Sequence, residues 1–193
     1  TIPADAADAF TAGGSRQQAA VTLARWYGAA AEKDAPYEEP LAAVSDPTVS
    51  RIHMANAYYL PETAVWSGTS YSCDMAAAAE IKKSIMKNGA VAASYYEDQK
   101  ARADSGYYNL QTCSYFYPGD EQANQGITIV GWDDSYKQTN FTGKSLPEGP
   151  GAWIVKNSRG QESDQNGYFY LSYYDRSLCD YTLFEAVPEN ASS

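Results

Sequence analysis

Cys73, Cys113 and Cys179 are the only thiols in the 193 residues, and His53 is the only imidazole. A free thiol titrates at about 8.5, so nucleophilic work at neutral pH needs a neighbouring imidazolium or another cation to lower that value. The three cysteines are widely spaced, with no CxxC and no Cys/His cluster. A zinc site is therefore not expected, and neither a metal nor a cofactor is assigned. Burial or a structural disulfide is the plain reading of these thiols. At most one intrachain disulfide can form, and its pairing is left open. His53, in Arg51-Ile52-His53-Met54, reads as a satisfied structural histidine.

The elements that would position a site follow from periodicity and punctuation. Ser15 offers an N-cap, and Ala20, Leu23, Ala24 and Tyr27 recur at helical spacing before Gly28, which predicts a helix of about three turns. Residues 34 to 50 contain Pro36, Pro40 and Pro47 and read as a surface loop. Tyr58-Tyr59-Leu60-Pro61 predicts a short extended piece ended by proline. Asp74 caps a second helix, with Ala78, Ile81 and Ile85 on one face and Asn88-Gly89 at its end. Strands are expected over 90–96, 127–130, 152–155 and 168–171, and long loops over 97–124. A helical first portion followed by mostly antiparallel sheet predicts an α+β protein.

Composition narrows the function. Lys and Arg number 14 against 24 Asp and Glu, a formal charge of -10, which disfavours a nucleic-acid partner. No run reaches the roughly 20 apolar residues of a membrane-spanning helix. No signal peptide is visible at Thr1-Ile2-Pro3-Ala4-Asp5. The 17 Tyr, 5 Phe and 4 Trp favour sheet and half-wet clefts over a helix bundle. Asn140-Phe141-Thr142 and Asn190-Ala191-Ser192 match the N-glycosylation pattern.

Three segments, in order, resemble the papain-like cysteine peptidases, particularly their bacterial secreted or cell-surface branch. Gly13-Gly14-Ser15 through Leu23-Ala24-Arg25-Trp26-Tyr27-Gly28 to Pro36-Tyr37-Glu38 is similar to the family's Gly-Gly turn and following helix. Asn124-Gln125-Gly126-Ile127-Thr128-Ile129-Val130-Gly131-Trp132 is similar to its Asn/Asp-His-Ala strand. Trp153-Ile154-Val155-Lys156-Asn157-Ser158-Arg159-Gly160, with Gly167-Tyr168 downstream, is similar to its Trp-Ile-x-Lys-Asn-Ser-Trp-Gly.

The resemblance implies a papain-like fold of two lobes with a cleft between them: residues 1–70 a partial helical lobe, and 71–193 a β-barrel-like lobe. It also implies a catalytic Cys, a His that holds the ion pair and protonates the leaving amine, and an Asn that orients the His. Here Gln125 stands at the His position, Asn157 at the orienting Asn, and Arg159 at a shielding Trp. The nucleophile segment belongs upstream of Gly13. Gly13 and Gly14 would present backbone to an extended peptide, and Val91, Asn124 and Gly126 would line a substrate pocket, with the core as the plainer reading of Val91. The expectation is an inactive, peptide- or protein-binding relative, secreted or at the cell surface. Two alternatives are an active peptidase whose nucleophile lies on a separate or removed N-terminal piece, and a structural envelope domain. Without the central helix, apolar surface is expected to be covered by a tightly held N-terminal partner chain that carries it, by a compensating rearrangement, or by self-association.

Overall fold

A computed structural model of the chain describes residues 14–26, 28–31, 33–34, 51–142, 146–157 and 166–188. Its contacts divide it into two units, Thr1–Ala57 with Phe184–Ser193, and Tyr58–Leu183.

In the first unit, α1 (Arg16–Leu23) starts at a capping box. The Ser15 hydroxyl accepts from the Gln18 N–H, and the Gln18 side chain accepts from the Ser15 N–H. The helix has eight residues, shorter than the three turns expected. It stops because the chain turns at Ala24–Trp26, where Trp26 takes a left-handed φ of 65°. β1 (Ala29–Ala30) pairs antiparallel with β2 (Arg51–Tyr59). β2 far exceeds the short piece expected at Tyr58–Leu60. His53 is buried on it and stacks on Trp26 at 4.3 Å, yet neither ring nitrogen has a hydrogen-bond partner. The expected histidine is thus structural but not satisfied.

In the second unit, a hairpin of β3 (Ala64–Ser67) and β4 (Ser70–Cys73) precedes α2 (Met75–Asn88). The Asp74 carboxylate accepts from the N–H groups of Ala76 and Ala77, and Gly89 closes the helix at φ 95°. Such a cap contributes about 1 kcal/mol. Ala78, Ile81 and Ile85 are buried, one apolar stripe at helical spacing packed into the core of the sheet. That sheet contains β5 (Val91–Tyr95), β6 (Tyr108–Asn109), β7 (Ser114–Tyr115), β8 (Gln125–Asp133), β9 (Ala152–Lys156), β10 (Tyr168–Ser172) and β11 (Cys179–Pro188). Their spatial order is β11-β5-β8-β9-β10-β7-β6. All neighbours are antiparallel except β10 and β7, so the fold is α+β with a mixed sheet. The first portion therefore carries strands as well as helix, because β2, β3 and β4 precede α2.

Alternation along β5 and β8 sends Val91, Ala93, Tyr95, Ile127 and Ile129 to one buried face, joined by Trp153, Val155, Phe169 and Leu171. A register shift between Ile129 and Gly131 bulges β8 and sets Trp132 opposite Trp153. Lys82 of α2 reaches over Tyr173, at 4.5 Å from the ring centroid, and pairs with Asp134 just past β8.

Candidate functional site

Gln125 is the first residue of β8, with Tyr95 of β5 as its cross-strand partner. It is half-buried, and its Nε2 donates to the Gly126 carbonyl at 3.3 Å. The approach to this residue is fixed by Asn124. The Asn124 N–H donates to the Tyr95 carbonyl, its Oδ1 accepts from the Glu97 N–H at 2.8 Å, and its Nδ2 donates to the Glu97 carbonyl at 2.9 Å. Asn124 was expected to line a pocket; its amide is occupied in holding the entry to β8.

Asn157 directly follows β9. Its N–H donates to the Gly167 carbonyl at 2.8 Å, which fixes the backbone where the strand ends. Thr128 pairs with Lys156, the last residue of β9, so Gln125 and Asn157 stand at the adjoining ends of neighbouring strands. Gln125 shares the face of Ile127, two residues along.

Asn157 is 6% exposed, and neither Oδ1 nor Nδ2 has a hydrogen-bond partner among the described residues. A buried amide left without partners costs about 1–3 kcal/mol per group. An imidazole beside it would accept or donate one such bond; the Gln125 amide does not. A carboxamide does not titrate near neutral pH, so it neither stabilises a thiolate nor passes a proton to a leaving amine.

Val91 is fully buried opposite Ile129 in the core. Gly126 is exposed, with open space where a Cβ would stand. Gly14 is exposed and precedes the Ser15 cap. Gly13, Arg159, Asn190 and most of the 34–50 loop lie outside the described residues. Phe141 of the Asn140-Phe141-Thr142 tripeptide is buried, and the Asn140 carbonyl accepts from Asn109, Thr112 and Ser114. All three cysteines are free. Burial pushes the Cys73 thiol up to about 11, and its Sγ donates to the Tyr173 carbonyl, so it carries no thiolate at neutral pH. Among the described residues no group of His, Cys, Asp and Glu is arranged to hold a metal, and no helix is long and apolar enough to cross a membrane.

Two buried carboxylates support this end of the sheet. Glu97 pairs with Arg102 at 3.2 Å, and the Arg102 guanidinium lies 4.2 Å from the centroid of the Tyr108 ring. Asp175 is fully buried. It accepts from the Tyr117 N–H, the Ser177 N–H and the Ser177 hydroxyl, while that hydroxyl oxygen accepts from the Tyr96 N–H at the end of β5. Burial pushes the Asp175 carboxyl up to about 7 against those hydrogen bonds. In sequence, Tyr174-Asp175-Arg176-Ser177 looks like an ordinary polar turn, and nothing local announces that its carboxylate is interior.

The sequence pattern of the family described as papain family cysteine protease matches residues 6–187. A structure of the cysteine protease and lectin-like domains of a surface-layer-associated protein of Clostridium difficile is similar, with a TM-score of 0.69 and 26% identity over 93% of this chain. A structure of the clostridial protease after propeptide cleavage gives 0.68 and 26% over 93%. The chain spans 38% and 42% of those two molecules. Digestive procathepsin L2 from Tenebrio molitor shares the fold at a TM-score of 0.55 and 20% identity, over 97% of this chain and 50% of its own. No curated protein matches the sequence.

Proposed function

Because the chain belongs to the papain family of cysteine proteases, we propose that this domain binds polypeptide without cleaving it. The observation that carries the reading is Gln125, an amide at the first residue of β8 where the family pattern has its histidine. The unpartnered, buried Asn157 amide supports it, since an orienting residue without a ring to orient is left in that condition. Removing the histidine of a catalytic triad costs about 10⁶ in turnover in a serine protease, so this single replacement suffices to silence the chemistry.

A covering segment belongs to the same reading. α1 buries none of its side chains, and Val21 and Trp26 in its unit are 59% and 58% exposed. An isolated helix of eight residues is marginal in water. We assign its cover to the helix that the family carries ahead of the Gly-Gly turn, supplied by an upstream segment or a separate chain. If that segment brings a thiol, the alternative reading is an active endopeptidase, which then needs a base other than Gln125. The surface-layer association of the clostridial relative supports an extracellular place.

The test uses the full-length gene product and a library of fluorogenic and fluorescent peptides. The binding reading expects no turnover but saturable affinity for some peptides, weakened by Gly14→Trp. Turnover blocked by the epoxide E-64 would overturn it in favour of the enzyme. Neither turnover nor affinity would leave a structural envelope role.

A further inference from the structure

We infer that the cavity beside the β3–β4 hairpin receives an arginine side chain presented by a polypeptide. The cavity measures about 410 Å³ and lies wholly within the second unit. That volume falls in the range of ligand sites, roughly 300–1,000 Å³. Its walls come from the hairpin, from the segment just before Asn124, and from the turn leading into β11.

Its chemistry is cation-selective and aromatic. Trp66 of β3 lines it with an indole 41% exposed, and the edge-to-face contact with Tyr71, 5.6 Å between centroids, fixes that ring. Glu62, Asp120, Glu121 and Asp180 line it as well, against a single cation among the described residues, Arg176. The Glu62 carboxylate accepts from the Asp180 N–H at 3.0 Å through both oxygens, which ties one acidic wall to the other. Arg176 pairs with Glu148, outside the lining, at 3.5 Å and lies over Tyr71. Ala64 and Ala123, both partly exposed, contribute apolar surface for a side-chain stem.

An exposed indole in a cavity with an excess of carboxylates matches a guanidinium better than other ligands. The guanidinium stacks flat on an aromatic face and forks onto carboxylate oxygens, whereas an ammonium acts as a compact, strongly hydrated charge. This inference goes beyond the reading of Gln125 and holds whether or not the domain hydrolyses peptides.

The experiment is a titration of the full-length protein with N-acetylarginine amide, following the indole N–H resonance of Trp66, identified by its loss in Trp66→Phe. The expected result is a saturable shift with arginine, a weaker one with N-acetyllysine amide, and none with N-acetylnorleucine amide. Asp120→Asn combined with Glu121→Gln, both at exposed positions, should weaken the arginine affinity about three- to tenfold and reduce its salt dependence. No shift with arginine, an equal shift with norleucine, or an affinity unchanged by the double amide variant would each overturn the assignment. None of these readouts involves turnover, so they stand apart from the fate of the Gln125 reading.

Discussion

Asp175→Asn removes a buried charge while keeping the shape of the side chain. The carboxyl is wholly inside the protein, and burial lifts it from 3.8 to about 7. The sign follows from proton linkage. Between those two values the folded chain holds the proton and the unfolded chain releases it. The stability this group contributes is therefore full below the unfolded value and is lost as pH rises through the folded one. Each pKa unit corresponds to about 1.4 kcal/mol, so the full interval amounts to roughly 4 kcal/mol. The amide variant has no such dependence. It also turns a donor toward the Tyr117 N–H, which costs about 1–3 kcal/mol at every pH. Urea unfolding of both proteins at pH values of about 4.5 and about 7.5, near the unfolded and folded values, measures the difference. The substitution should be clearly destabilising at the acid end and close to neutral or stabilising at the other. A cost that stays constant, or grows with pH, would sink this linkage, since it would mean that the carboxylate is ionised in the fold and net favourable there.

Further outcomes are expected from single substitutions, each read by urea unfolding. Gly151→Ala should cost several kcal/mol: φ is 110°, and the added methyl would stand 2.4 Å from the Tyr173 ring. Gly126→Ala meets open space and should change stability by less than about 0.5 kcal/mol. Asp74→Ala should cost about 1 kcal/mol through loss of the α2 cap. Ser177→Ala strands the Tyr96 N–H and removes one of the two hydrogen bonds to Asp175 Oδ1, which keeps the backbone N–H of residue 177, for roughly 1–3 kcal/mol.

What the sequence disclosed was local. Ser15 and Asp74 announce helix starts because capping depends on residues within one turn, and Gly89 announces an end because its φ is open to glycine. β8, β9 and β10 were legible from runs of β-branched and aromatic residues. β2, in contrast, contains His53, Ala55, Asn56 and Ala57, which carry little strand preference of their own. It is a strand because of partners distant in the chain. Asn56 bonds Glu185, 129 residues away, and just past the strand the Leu60 N–H bonds the Tyr181 carbonyl. β11 was not among the strands expected, although its Tyr181, Thr182, Phe184 and Val187 favour strand. At the candidate site, Gln125 opens β8 and Asn157 directly follows β9, and both strands were legible. It did not foresee that the Asn124 amide is used up on Glu97, or that Asp175 lies inside, since both depend on contacts between distant loops.

If Gln125 stands in the place of the family's histidine, as proposed above, the domain lacks the proton-transfer group that peptide hydrolysis needs. Hydrolysis of a broad fluorogenic peptide library by the full-length protein, with and without E-64, measures this directly. The expected outcome is cleavage no faster than the buffer blank and no change on adding the inhibitor. Cleavage that E-64 abolishes would show that a working base exists and that Gln125 is not the silencing replacement.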